Sequence, residues 1–288
     1  MRHSPRALLF VFSILALPAG CGDDGGSAGL PGPMAPSGNE IFHVQSAASA
    51  VGALGQVTEV ASDAIVFSAP GSSTPGPAVL PTHPGATPSF DYGADVDFVI
   101  DFDALDVEGN DLFPNATGQV HVTASGTDSD TPDAGEATFS AAVTADTDLI
   151  FTDPGTGMLT GIPAGDSWSY LLTVTWSRAD NRNWTVSAAS RTLLNFTDIA
   201  VFDGTTIVTV DIVGEREVVS TRTREDGKLT HERTISGSLV VTTDDGTTVE
   251  TVILDYVNPG QVKITVAGNA FGPMSGPKAQ ALFQAFLP

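Results

Sequence analysis

Hydrophobic positions change their period once along this chain, near residue 95. Before that point Val44, Ala48, Val51, Ala61 and Ile65 recur close to helical spacing, which predicts a helix over residues 39–67. Asn39 or Ser37 is placed to cap its start. The stretch is Ala-rich, and Gly52 and Gly55 each weaken its middle by about 1 kcal/mol relative to Ala. So many small residues predict close packing against a flat partner such as a sheet face. After residue 95 the period is two. Val96, Phe98, Ile100 and Phe102 alternate with Asp95, Asp97, Asp101 and Asp103; Val120, Val122 and Ala124 alternate with His121 and Thr123; Phe139, Ala141 and Val143 alternate with Ser140 and Thr144. Clean alternation predicts antiparallel sheet with one face buried and one solvated.

The carboxyl-terminal half repeats this pattern between turn signals at Asp203-Gly204, Asp226-Gly227 and Asp245-Gly246, each flanked by Thr- and Val-rich runs. Their spacing is that of an up-and-down meander. Gly214 and Gly237, inside long runs, read as bulges where a strand bends. A last strand at 262–266 is followed by a Gly/Pro break and by a short helix over 278–286 with Leu282, Phe283 and Phe286 on one side. Between the amino-terminal helix and the β body at 94–288 runs a connector, 68–93, whose six prolines exclude helix and central strand. The predicted fold is mainly β: an antiparallel meander forming a curved sheet, a sandwich or an open barrel, with the two helices over its apolar face.

The first residues carry a different signal. Arg2 and Arg6 precede an apolar run from Ala7 to Leu17, which is too short for a stable membrane span and has the form of a secretory signal, here placed at 1–20. The run ends Leu17-Pro18-Ala19-Gly20-Cys21. Ala19, Gly20 and Cys21 match the last three positions of the lipobox of bacterial lipoproteins, which this end resembles; Pro18 stands where that pattern has Leu, with Leu17 one place early. The resemblance implies lipidation of Cys21 by a diacylglyceryl thioether plus an amino-terminal acyl chain. More than one chain is what stable anchoring requires, because each buried methylene contributes only about 0.8 kcal/mol. Gly22 in place of Asp after the cysteine implies, by the same family's habit, delivery to the bacterial outer membrane. Residues 21–38, rich in Gly, Pro and Ser, form a tether that reaches roughly 20–25 Å. Cys21 is the only cysteine, so no disulfide supports the fold.

Charge narrows the function. The chain has 34 acidic and 12 basic residues, a net charge of −22. Loss of residues 1–20 removes Arg2 and Arg6 and leaves 10 basic residues, a net −24. Between Gly22 and Ser177 there is no Lys or Arg, against 21 acids. A polyanion of this kind repels nucleic acid, which excludes that partner class. Four histidines, His43, His83, His121 and His231, remain without the paired spacing of a zinc site.

Two groups of residues are candidates for binding. The stripe Asp95, Asp97, Asp101 and Asp103 sets like charges roughly 7 Å apart along one strand face. Calcium would offset their repulsion, with help from Asp106, Glu108 or Asp111; a second acidic loop carries Asp128, Asp130, Asp133 and Glu136. The alternative is internal pairing with Arg216, Arg222, Arg224, Lys228 and Arg233, which share one hairpin. The second group is aromatic. Trp168, Tyr170 and Trp176 share a strand face, and a turn near Asp180 makes Trp176 and Trp184 cross-strand neighbours. These tryptophans form either a core cluster or a platform that stacks on sugar rings.

The segment from Ile235 through Asp245-Gly246 and Asp255-Tyr256 to Val266 resembles the strand pattern of bacterial lipoproteins of uncharacterised function. That resemblance implies a helix joined to a Thr-rich β-meander and supplies no activity. The expected protein is a lipid-anchored, non-enzymatic envelope module, calcium- or glycan-binding, with a glycan or another envelope protein as partner. A glycosidase-like hydrolase working through paired carboxylates is the rival.

Overall fold

The computed structural model describes residues 35–68, 87–90, 92, 95–103, 116–128, 133–153, 155–258 and 260–284. The expected signal, Cys21, most of the expected tether and most of the Pro-rich connector lie outside the described residues, as do His83, Asp106, Glu108, Asp111, Asp130, Phe286 and the side chain of Asp128.

The protein is mainly β, with one large antiparallel sheet that does not close into a barrel and a helix near each end of the described chain. Helix α1 spans Gly38–Val66. Ser37 caps it through a reciprocal pair: its hydroxyl accepts from the Glu40 amide at 3.2 Å and its amide donates to the Glu40 carboxylate at 2.6 Å. Of the 29 residues of α1, 20 are buried, which makes it a core helix rather than a surface helix with one apolar stripe.

The strands are β1 (Phe67–Ser68), β2 (Thr87–Pro88), β3 (Val96–Asp101), β4 (Ala116–Thr117), β5 (Gln119–Asp128), β6 (Ala134–Ala145), β7 (Leu149–Thr152), β8 (Leu159–Ile162), β9 (Ser167–Arg178), β10 (Trp184–Phe202), β11 (Ile207–Glu225), β12 (Lys228–Asp244), β13 (Val249–Asn258), β14 (Gln261–Val266) and β15 (Asn269–Ser275). β1 and β2 pair with each other; the rest form the large sheet, in the order β15-β14-β13-β12-β11-β10-β9-β6-β5-β3. This is the expected meander with one excursion. β7 and β8 leave between β6 and β9, and β8 returns to pair with residues 200–202 at the far end of β10.

α1 packs against β8 and against β10 through β14, so the sheet carries the helix across its inner face and all the apolar residues of that face reach one core. Strand alternation assigns the faces as expected: in β9, Trp168, Tyr170, Leu172, Val174 and Trp176 all point inward. The closing helix α2 spans Gly276–Phe283, beginning two residues before the expected start. Its Phe283 is fully buried against Phe271, ring centroids 5.2 Å apart.

Two expectations about the strands are corrected. Gly214 and Gly237 are not bulges, since the β10–β11 and β11–β12 registers run through them without a shift. Both have positive φ, 147° and 114°, and a Cβ at either would run into a backbone carbonyl of the neighbouring strand, so glycine is there for close approach. The register shifts fall instead between Phe196 and Ile199, Tyr256 and Asn258, and Val262 and Ile264. At the β9–β10 turn, Trp184 pairs with Arg178 and Trp176 with Val186, so the two tryptophans are diagonal rather than direct neighbours. The turn is centred one residue later than expected because the Asp180 carboxylate accepts from the Arg182 and Asn183 amides, at 2.7 and 2.9 Å.

Candidate functional site: a buried arginine seam and the cavity beside it

Every fourth residue of α1 lies on one line of the helix surface, and the line Gly55, Glu59, Asp63 faces β11 and β12. On those strands the inward positions carry Arg216, Arg222, Arg224, His231 and Arg233. The expectation that this hairpin neutralises the Asp stripe is therefore overturned: β3 lies at the sheet edge, separated from β11 by β5, β6, β9 and β10. The arginines turn inward because they stand at even positions of β11 and odd positions of β12, which the register places on the helix side.

Three of them meet the helix differently. Arg222 forms a bidentate pair with Asp63, 2.7 and 2.9 Å, both side chains almost fully buried. Burial pushes the Asp63 carboxyl up to about 6, against the opposing pull of Arg222. Arg233 pairs with Glu59 at 3.0 Å, and its Nε has no partner. Arg216 is only 3 % exposed, and its one hydrogen bond among the described residues is a long one, 3.4 Å, from Nη1 to the carbonyl of Val51. Its Nε and Nη2 are unpartnered, and among the described residues no carboxylate lies within ion-pair distance. Burial and the like charge of Arg233 both push its guanidinium below its usual basicity.

Beside this seam is a half-enclosed cavity of about 330 Å³, lined by Arg233, Ile235, Tyr256, Gln261, Val262 and Pro277 with Gly260 and Gly276. A difference in strand length makes it. β12 is seventeen residues long and β13 only ten, and their pairing ends at Gly237–Tyr256, so the 228–236 part of β12 runs on with β13 no longer beside it. The amino end of α2 closes the far side, and no side chain caps that helix. Arg216, Gly237 and Tyr256 occupy successive cross-strand positions; with no side chain at Gly237, the Arg216 guanidinium lies 6.0 Å from the Tyr256 ring centroid. The Tyr256 hydroxyl is buried without a hydrogen-bond partner.

The sequence-derived candidates lie elsewhere. Trp168, Trp176 and Trp184 are 4–5 % exposed, so they are core residues and no sugar-stacking platform exists. Different elements cover them: Trp168 donates to Thr58 Oγ1 of α1 at 3.0 Å, Trp176 packs edge-on against Tyr92, ring centroids 5.0 Å apart, and Trp184 packs edge-on against Phe67 of β1. Asp97 and Asp101 lie on the outward face of β3, with Asp95 just before the strand and Asp103 in the turn after it, and each described acid with a partner uses a local one. Asp97 bonds His121 at 2.6 Å, Asp101 accepts from the Gln119 amide group at 2.9 Å, and Asp103 accepts from the Gly118 amide at 3.2 Å, while Asp95 is exposed. Among the described residues no group of three or more His, Cys, Asp or Glu is placed to hold a metal ion. No acid is among the described residues that line the cavity beside Tyr256, so they offer no carboxylate pair for glycoside hydrolysis.

Sequence reasoning identified the arginine hairpin but assigned it to the wrong neighbour, and it passed over Tyr256 as a site residue. The signal available was the even spacing of Arg216, Arg222 and Arg224 in a strand whose even positions Val208, Val210, Ile212 and Val218 are apolar. Comparison of the chain with protein-family models, with curated proteins and with solved structures returned no match.

Proposed function

We propose that this is a lipid-anchored protein of the bacterial outer membrane, held through Cys21, whose β body binds a small ligand non-enzymatically in the cavity between β12, β13, β14 and the start of α2. One observation carries the binding reading. The cavity is of ligand size and mostly apolar in its lining, with the Glu59-paired Arg233 at its wall. Neither the calcium nor the glycan version of the function has comparable support, for the reasons given with the Asp stripe and the tryptophans.

The test uses calorimetric titration of small amphiphiles into the full chain and into Ile235→Trp, which fills the cavity. Binding by the wild type and its loss in Ile235→Trp are the expected results. The absence of binding by charged and neutral amphiphiles alike would rule the reading out. For the anchor, mass analysis of the mature amino terminus is expected to find Cys21 carrying acyl chains, and Cys21→Ala to release the protein from the membrane fraction.

A further inference from the structure

A sheet that stays open keeps unpaired backbone along its edges, and native proteins blunt such edges against the addition of further strands. Two edges here are blunted. β3 is six residues long and carries Asp97 and Asp101. β15 contains Pro273, which has no amide to donate, and its pairing with β14 shifts register. The third edge is not blunted. Over 228–236, β12 pairs with β11 alone, because its pairing with β13 stops at Gly237, and among the described residues no other strand takes the open side. This stretch has neither a proline nor a register shift, and Lys228 to Glu232, Thr234 and Ser236 are all exposed. Every second residue of an antiparallel strand turns both its amide and its carbonyl toward one neighbour, so about four residues here direct theirs to the open side. Such a row is a template for one extended chain.

The two faces beside this edge differ. Odd positions lie on the helix side. There Leu229 is 40 % exposed, Ile235 is partly buried and also lines the cavity, and Arg233 between them is bound to Glu59. His231 on the same side has its Nε2 bonded to Ser220 at 2.7 Å, and burial with the charges of Arg222 and Arg233 holds it below its usual basicity. An incoming side chain on this face therefore meets apolar groups and a neutral imidazole. Even positions face outward. Glu232 is exposed there and has no ion-pair partner among the described residues, while Glu225 stands opposite Lys228. The whole chain has the same sign, a net charge of −22, which draws a basic segment toward it and holds off a second copy.

We propose that the 228–236 edge of β12 takes up, as an added strand, an extended segment of another protein whose residues alternate between apolar and basic. Its apolar residues lie on the helix side against Leu229 and Ile235, and its basic residues lie outward beside Glu232. Backbone hydrogen bonds supply the affinity and the alternation selects the partner. This interaction goes beyond the small-ligand reading and stands on the open edge rather than on the cavity.

The experiment titrates four heptapeptides into the full chain by calorimetry at pH 7: Val alternating with Lys, with Glu and with Thr, and Ser alternating with Lys. The Val–Lys peptide is expected to bind about tenfold or more tighter than the Val–Glu peptide, by a margin that narrows with added salt, and the Ser–Lys peptide not to bind. Methylating either the even-numbered or the odd-numbered amides of the Val–Lys peptide tests the backbone. One form is expected to keep its affinity and the other to lose it, because only alternate amides reach β12. Glu232→Gln is expected to weaken the Val–Lys peptide several-fold and leave the Val–Thr peptide unchanged, and the retained Val–Thr affinity shows that the variant is folded. Equal affinities of the two methylated forms would overturn strand addition. Val–Glu binding as tightly as Val–Lys would overturn the basic character of the partner. Self-association of the full chain that blocks peptide uptake would assign the edge to a second copy and overturn the proposal. Binding of amphiphiles in the cavity with no binding of any peptide would overturn this inference and leave the cavity reading standing.

Discussion

The guanidinium of Arg216 occupies the space that a side chain at Gly55 would fill, so the middle of α1 and the middle of β11 meet through an absent Cβ. From the sequence, Gly52 and Gly55 are equivalent weak points of one helix. In the folded protein they are opposites, because a Cβ at Gly52 would meet nothing within 4 Å.

Gly55→Ala should therefore destabilise the protein by about 1–3 kcal/mol, the usual cost of overpacking, despite the better helix propensity of alanine. Gly52→Ala should stabilise it by up to about 1 kcal/mol. Urea denaturation of the two variants checks the pair; equal shifts in both would contradict the placement of Arg216.

Asp63 and Arg222 form a buried pair with both oxygens engaged. Removing one charge strands the other, so Asp63→Asn should cost about 3–5 kcal/mol. Replacing both at once, Asp63→Leu with Arg222→Met, should cost far less and come out near neutral, because the penalty belongs to the uncompensated charge. A double-mutant cycle in urea measures this difference.

The same carboxyl makes stability depend on pH. Its folded pKa, about 6, lies above the ordinary value of 3.8, so the native state takes up this proton before the unfolded chain does. The group's contribution is complete below about pH 4 and is lost as pH rises through 6. Stability measured between pH 4 and 7 should therefore contain a component that falls with rising pH and that is missing in Asp63→Asn. An unchanged slope in that variant would place the titration on another group.

The three tryptophans should report a core. Their emission is expected at short wavelength, inaccessible to acrylamide, and unaffected by oligosaccharides. Trp168→Ala should cost about 3–5 kcal/mol through the lost packing against Phe196 and the lost bond to Thr58. Ready acrylamide quenching in the native state would contradict their burial.

Periodicity and turn chemistry are local, and they carried most of the fold. Val96 to Phe102, the inward face from Trp168 to Trp176, the Asp-Gly turns and the helix start at Ser37 all follow from residues within a few positions of one another. The pairing of strands in sequence order also follows, since short turns leave antiparallel neighbours little choice. The candidate site was less legible. Asp97 and Asp101 share the outward face of β3 and Trp168 and Trp176 the inward face of β9, yet local pattern does not say what covers a face.

Sequence alone determined that this chain folds as a helix followed by a Thr-rich antiparallel meander, and that it carries a net charge of −22. Only the tertiary structure decided that α1 covers Trp168 while Tyr92 and Phe67 cover Trp176 and Trp184, that Arg222 and Arg233 reach Asp63 and Glu59 more than 150 positions away, and that Arg216 stands against Tyr256, which lines a cavity. The reason is physical. An arginine at an inward strand position has no local partner to announce it, and its role depends on which carboxylate, or which missing Cβ, the packed helix brings to it.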